Sequence, residues 1–79
     1  MSKEKFSAII GLIVPQVIHL IAENYSYSEI KAAEEFYRTN VYSLLEQEDT
    51  KLWHFSPQAL FGMFAEEKNT GKFLTPEEG

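Results

Sequence analysis

The stretch "FSAIIGLIVPQVIHLI" at residues 6–21 decides what this chain can fold into. Its large apolar residues recur at steps of three and four, the period of a helix with one buried face. The phase continues through Pro15, and a proline on the outer side of a helix bends it away from the ring. We therefore predict one long kinked helix from about Lys3 to Asn24 rather than two shorter ones. The predicted apolar stripe consists of Phe6, Ile9, Ile10, Ile13, Val17, Leu20 and Ile21, widened by Val14 and Ile18.

The next segment, "YSYSEI", has the pattern of a second helix start. Ser26 followed three residues later by Glu29 is a capping box, and Tyr25 with Ile30 would form a hydrophobic staple across it. We predict a helix over residues 27–47, with Thr39-Asn40 as the point where a bend or a new cap interrupts it. The residues that share one phase are Ile30, Ala33, Tyr37, Val41, Leu44 and Leu45, with Phe36 and Tyr42 on opposite flanks.

A third, shorter helix is predicted from Ser56 onward. Serine caps a first turn well, and Pro57 at the first helical position loses no intrahelical hydrogen bond. The helix is predicted to end near Asn69, with Gly71 supplying a left-handed cap. The side expected to be buried consists of Leu60, Phe61, Met63 and Phe64.

These elements predict an all-α fold, a small three-helix bundle that forms one domain over residues 1–79 with a flexible tail from about residue 72. "EQEDT" reads as a surface turn and "TKLWHF" as an extended connector. A chain of 79 residues buries only about 60% of its unfolded surface, so its stability is marginal without an added constraint. The chain has no cysteine, so disulfides are excluded and a partner chain becomes the expected constraint. The absence of cysteine also fits a cytoplasmic location.

Charge and hydropathy exclude two classes of partner. The formal net charge is −5, and the seven basic residues are scattered rather than clustered, so neither nucleic acid nor an anionic membrane surface is expected to bind. Gln16 and His19 interrupt the N-terminal apolar run, which is shorter than the roughly 20 residues of a membrane span. No cleavage pattern of a signal peptide follows it. We therefore expect no membrane span or targeting segment.

The second half of the chain carries a resemblance. "FY" at Phe36-Tyr37, "YSLL" at residues 42–45, "TKLWHFSPQALF" at residues 50–61 and a closing "TGK" resemble a group of small all-helical proteins of gut-associated and related Gram-positive bacteria. The resemblance covers about half of the chain, and this group carries no established activity or catalytic residues to transfer. By analogy it implies an accessory role or membership of a toxin–antitoxin-like gene pair.

No motif for catalysis, cofactor or metal binding emerges, so we predict a protein that is not an enzyme and needs no cofactor or metal. His19 and Glu23 share a helix face, but two ligands do not complete a metal site, and a solvated pair is expected. His54 lies between two aromatic residues and is expected to pack against them, with Ser56 used as a helix cap. The carboxylates are dispersed pairs on solvated faces, and the glycines are isolated.

The aromatic residues point instead to an interface. The chain is 44% hydrophobic and 14% aromatic, more than a bundle of this size is expected to cover. We expect most of these residues in the core and a minority in a protein interface, with the closed two-fold dimer as the favoured assembly. The candidate interface residues are Val14, Ile18, Phe36, Tyr42, Trp53, Phe61 and Phe64.

The leading hypothesis is thus a non-enzymatic helical module for protein interaction or oligomerisation, either a homodimer or bound to another protein. One alternative is an antitoxin-like or inhibitor subunit, whose acidic charge would favour a basic partner. Another is a small enzyme or ligand carrier with a pocket near Trp53 and His54. A helix-turn-helix regulator ranks last, because its third helix would carry only Lys68 and Lys72 near its end.

Overall fold

The computed structural model describes residues 2–71, which form four α-helices and two single-turn 3-10 helices. In chain order the α-helices are α1 (Lys3–Tyr25), α2 (Glu29–Tyr37), α3 (Asn40–Leu45) and α4 (Pro57–Thr70). The 3-10 helices, Glu48–Thr50 and Leu52–His54, join α3 to α4. The predicted all-α bundle is confirmed, with the second predicted helix present as α2 and α3. The predicted tail from residue 72 lies outside the described residues.

Helix α1 is continuous through Pro15, which is exposed, so the prediction of one helix rather than two is confirmed. The Ser2 hydroxyl accepts the first-turn N–H of Lys5 at 3.2 Å. Next to the proline, the side-chain amide of Gln16 donates to the carbonyl of Leu12, one turn earlier, at 2.8 Å. The residues that α1 contributes to the core are Ile13, Val14, Val17, Ile18 and Ile21.

The junction between α1 and α2 differs from the predicted capping box. Ser26 is not the cap of α2 but ends α1 in the left-handed region, at φ 56°. Ser28 caps α2 instead, and its hydroxyl accepts the N–H of Lys31 at 3.1 Å. The two serines offer equivalent local chemistry, and the need to reverse the chain direction after Tyr25 decides which one caps. Ile30 is 74% exposed, so it does not serve as the buried half of a staple.

An aromatic corner fixes this junction against α4. The rings of Tyr25 and Tyr27 stack with their centroids 5.5 Å apart. The Lys68 ammonium lies 5.6 Å from each ring centroid and 3.2 Å from the Glu35 carboxylate. Hydrogen bonding to Tyr27, and then to Glu35, raises the pKa of Lys68 above its ordinary value. The corner therefore ties α1, α2 and α4 together near their shared end.

The buried face of α2 is one residue out of phase with the predicted stripe. Ala32 and Phe36 are fully buried, whereas Ile30 is exposed and Tyr37 is 51% exposed. The Phe36 ring packs edge-on against Phe64 of α4, with centroids 6.2 Å apart. The prediction that placed Phe36 on a flank is therefore wrong. A face that contains this large ring buries more apolar area than one centred on Ala33.

The predicted weak spot at Thr39-Asn40 is a true helix boundary. The Thr39 hydroxyl donates to the Phe36 carbonyl at 2.6 Å and accepts the N–H of Tyr42 at 3.3 Å. The Glu67 carboxylate of α4 accepts the N–H groups of Asn40 and Val41 at 3.0 and 3.2 Å. Thus α3 is capped both by its own chain and by a side chain from another helix.

The connection to α4 is compact, so the predicted extended connector is wrong. Lys51 adopts φ 59° between the two 3-10 helices, and Leu52 is buried in the core. The Trp53 indole N–H donates to the Glu48 carbonyl at 2.9 Å. The chain must coil here to bury Leu52 and to give the Trp53 indole N–H a hydrogen-bond acceptor. Neither requirement can be seen from the local propensities of these residues.

Helix α4 follows the prediction. The Ser56 hydroxyl accepts the N–H of Ala59 at 3.1 Å, with Pro57 in the first turn. Gly71 closes the helix at φ 73°, and its N–H donates to the Glu67 carbonyl. Leu60, Met63 and Phe64 are buried, while Phe61 is half-buried.

The Ser28 cap is testable. Ser28→Ala removes the side-chain acceptor of α2, and we expect a loss of about 1 kcal/mol in the free energy of unfolding. Ser26→Gly is expected to cause no loss, because glycine adopts positive φ without a Cβ penalty. Chemical denaturation of both variants makes the comparison. An unchanged midpoint for Ser28→Ala would contradict the assignment.

The cap that Glu67 places on α3 provides a second test. Glu67→Gln removes the negative charge and one carboxylate acceptor from the α3 N-terminus, which we expect to cost about 1 kcal/mol of folding free energy. Glu66→Gln is the matched control, because Glu66 is exposed and the carboxylate that accepts the α3 N–H groups belongs to Glu67. Equal denaturation midpoints for the two variants would argue against the cap.

Candidate functional site

The N-terminal half of α1 is where the protein leaves apolar surface uncovered. Every residue that α1 buries lies between Ile13 and Ile21. Residues 3–12 contribute no fully buried residue: Ile9 and Ile10 are only partly buried against the core, Phe6 is half-buried, and Leu12 is 69% exposed. Because buried area is the main source of helix stability in a small protein, this half-helix is the strongest candidate for an interaction surface.

Among residues 2–71, α1 is the one helix long and apolar enough to cross a membrane, judged by length and composition alone. Core helices of soluble proteins meet the same criteria. Val17 and Ile21 are fully buried by the rest of the chain. The absence of a membrane span stays a prediction.

Beside the uncovered half of α1 lies an open groove of about 470 Å³, here called the α1–α3 groove. Phe6, Ile10 and Val14 line it from α1, and Tyr42 lines it from α3. Its polar lining includes Lys3 at the start of α1 and Glu46 at the end of α3. An apolar wall with a few polar groups suits an apolar side of a polypeptide better than a small polar substrate.

Small residues form the α1 edge of the groove. Ser7, Gly11 and Pro15 follow each other at four-residue steps and are all exposed. A Cβ atom built on Gly11 would meet no atom within 4 Å, so the space above the helix backbone is open. A helix or an extended segment can approach this edge closely.

A hydrogen bond orders the α3 side of the groove. The Tyr42 hydroxyl donates to the Glu46 carboxylate at 3.1 Å, and the Tyr42 ring packs edge-on against Phe36 with centroids 5.4 Å apart. Burial, and then the Glu46 hydrogen bond and charge, raise the pKa of Tyr42 above its ordinary value of 10.0. The phenol therefore stays protonated across the physiological range and offers a fixed, neutral groove wall.

A second open groove of about 370 Å³ lies between α1 and the start of α4. Pro15 and Leu20 of α1 and Pro57 of α4 line it with the side chains of Gln16, His19 and Gln58. Its polar groups are amides and one imidazole.

The predicted interface residues divide between core and surface. Phe36 and Phe64 are buried at 0% and 1% exposure, and Val14 and Ile18 at 9% each. Phe36, Phe64 and Ile18 belong to the core, where the contacts between α1, α2 and α4 leave them little or no surface for a partner. Val14 belongs to the same core but also lines the α1–α3 groove. The three that keep surface are Tyr42, Trp53 and Phe61, all half-buried. Only Tyr42 and the edge of Val14 line the α1–α3 groove.

The pair Trp53 and His54 forms a stack rather than a pocket. Their ring centroids are 3.9 Å apart, and Trp53 also meets Phe6 edge-on at 6.2 Å. His54 is exposed, and the Ser56 hydroxyl beside it is occupied as a helix cap. Neither of the two grooves described above is lined by Trp53 or His54.

The side chains considered as metal ligands in the sequence do not come together in a cluster within the described residues. The His19 imidazole contacts the Glu23 carboxylate, and both side chains are 61% exposed, as expected of a solvated pair. Within residues 2–71 no group of three or more His, Cys, Asp or Glu side chains could hold a metal ion. The independence from metal remains a prediction.

Sequence reasoning missed Leu12 and the small residues beside it, because it treated the first half of α1 as core. One signal was available. No Lys, Arg, Asp or Glu occurs from residue 6 to residue 22, so both faces of that stretch are uncharged. A helix with one face in water normally carries charge on that face.

No family model matches the sequence, and no curated protein or solved structure is significantly similar to it. The resemblance to small bacterial helical proteins therefore stays a prediction. The function must be argued from the surface of the molecule itself.

The Tyr42 wall of the groove gives a pH test. Because folding raises the Tyr42 pKa, its contribution to stability is present below pH 10 and is lost as pH rises through the higher folded-state pKa. The tyrosinate absorbance difference between the native protein and Tyr42→Phe should titrate with a midpoint above 10.0. In Glu46→Gln, that midpoint should fall only part of the way, since burial is the larger cause. A midpoint at or below the ordinary value would contradict the buried, hydrogen-bonded phenol.

Proposed function

We propose that this protein is a non-enzymatic helical interaction module that binds an apolar segment of a protein partner along the α1–α3 groove. The observation that carries the proposal is the uncovered N-terminal half of α1, which buries no residue before Ile13 and stands beside that groove. We further propose that the protein acts in the cytoplasm, in keeping with its lack of cysteine.

The composition of the groove supports a protein ligand. Phe6, Ile10 and Tyr42 are residue types that protein interfaces use, and apolar contact is their main contribution to binding. Lys3 and Glu46 add one positive and one negative charge, which would orient a bound segment without demanding a charged ligand. The groove is open to solvent, as a site for a helix or strand must be.

An inhibitor or antitoxin-like subunit is a specific form of the same proposal. The formal net charge of −5 would speed the encounter with a basic partner and discourage acidic ones. In that case the acidic surface governs the rate of association, and the apolar groove governs how long the complex lasts.

Site-specific photo-crosslinking in cells tests the proposal. A benzoylphenylalanine placed at Tyr42, in the groove wall, should give discrete crosslinked protein products. The same residue at Ile30, which is 74% exposed on α2 away from the groove, is the matched control and should not. Comparable labelling at both positions, or none at Tyr42, would contradict a groove that binds protein.

A groove-filling variant sharpens this test. Gly11→Phe adds a ring where a Cβ meets no atom within 4 Å, so the backbone there has room for a side chain, and the ring is expected to obstruct the groove. Gly62→Phe adds the same ring at an equally open position on α4. We expect Gly11→Phe to remove the Tyr42 crosslinks and Gly62→Phe to leave them. Crosslinks that survive in both variants would show that the products do not report on the groove.

A further inference from the structure

We infer that the partner of this half of α1 is a second copy of the chain, whose α1 lies antiparallel across the outer strip of the first. The outer strip is defined as eight exposed residues of α1: Glu4, Ser7, Ala8, Gly11, Leu12, Pro15, Gln16 and His19. It shares Ser7, Gly11 and Pro15 with the α1–α3 groove, so the inference rests on the proposed function and names its partner.

The strip has the shape of a helix-packing surface. Its residues form two rows at four-residue steps on the exposed side of α1, and rows of this kind pack into the grooves of a facing helix. Leu12 protrudes, with 69% of its surface exposed, while Gly11 beside it leaves open space. For a facing helix, the Leu12 side chain is thus a knob and the space above Gly11 is a hole.

The strip is complementary to itself when two copies run antiparallel. If the two-fold axis passes between Gly11 and Leu12, residues equally far from this point along the two helices lie at the same height. Leu12 then faces Gly11 of the second copy, and Pro15 faces Ala8. In each apolar pair a larger side chain meets a smaller one, as close packing requires.

The polar ends of the strip pair under the same operation. His19 faces Glu4, which matches an imidazole with a carboxylate. Ser7 and Gln16 lie about 90° to either side of the line of contact, at the polar margins of the strip. The two-fold axis repeats each pair, so the strip becomes apolar at its centre and polar at both ends. Interfaces with an apolar core and a polar rim have this layout.

Other occupants fit the strip less well. Two parallel copies would set Leu12 against Leu12 and Gly11 against Gly11, leaving a clash beside a gap, and would oppose the two Glu4 carboxylates. A membrane could take up α1 as a span only if Val17 and Ile21, both at 0% exposure, were first pulled from the core. Binding of an unrelated partner would not explain why the strip is complementary to an antiparallel copy of itself.

Two matched substitutions test whether copies associate through the strip. Leu12→Glu places carboxylates close together at the two-fold axis, and we expect the dimer dissociation constant to rise at least about tenfold. Ile30→Glu introduces the same charge at an equally exposed apolar residue of α2 and should leave dimerisation unchanged. Sedimentation of the purified protein over a wide concentration range measures both. A native protein that is monomeric throughout, or equal effects from the two variants, would overturn the inference.

Single cysteines test the antiparallel register, since the chain has no cysteine of its own. Ala8→Cys on one copy should form a disulfide with Pro15→Cys on the other when the two variants are mixed under mild oxidation. Neither variant should form one alone, because like positions would be separated by about 10 Å along the helix axis, beyond the Cα separation of about 7 Å that a disulfide allows. Self-crosslinking of Ala8→Cys without mixed products would indicate a parallel pair and overturn the register.

These results are separable from the proposed function. If the purified protein stays monomeric but Tyr42 still crosslinks to another protein in cells, the second copy is wrong and the interaction module stands. If Tyr42 gives no crosslinks while the mixed disulfide forms, copies associate through the strip and the groove has no role in binding.

Discussion

The burial of the Phe36 ring is the contact on which the arrangement of the helices depends. The ring has no exposed surface and meets Phe64 of α4 and Tyr42 of α3 edge-on. It shares one core with Val17 and Ile21 of α1, so all four helices converge on it. The α1–α3 groove follows from this contact, because the position of Phe36 fixes the Tyr42 ring that forms the groove wall. With no disulfide in the chain, such aromatic packing is the main constraint on relative helix positions.

The parts of the fold that could be predicted from sequence are those determined by nearby residues. The start of α4 at Ser56-Pro57, its end at Gly71 and the boundary at Thr39-Asn40 each depend on backbone chemistry within one turn. The cap of α2 could not be chosen this way, because Ser26 and Ser28 have the same chemistry and the reversal of the chain after Tyr25 selects between them. The buried face of α2 likewise depends on contacts with α4, which lie far away in the sequence.

The candidate site shows the same division. The apolar stripe of α1 is visible in the sequence, but the point at which the bundle stops covering it is set by how far α2 and α4 reach. Ile9 and Ile10 are only partly buried, and no residue before Ile13 is fully buried. The predicted interface was therefore placed on the bulkiest residues, Phe36 and Phe64, which the core absorbs. The surface that remains is made partly of small residues, such as Gly11 and Ser7, whose importance lies in the space they leave. Size and hydrophobicity alone do not identify such positions.

The carboxylate of Glu67 that caps α3 also bears on the order in which the chain folds. Helix α3 is six residues long, too short to persist by itself in water. Its first N–H groups are satisfied by a residue 27 positions further along, so closing that long loop must precede a stable α3. Helices α1 and α4 can meet without it, since each carries its own cap and they share core residues. α3 is therefore expected to be among the last elements to gain protection from amide hydrogen exchange during folding, and the Tyr42 wall of the groove is completed only when the rest of the bundle is in place.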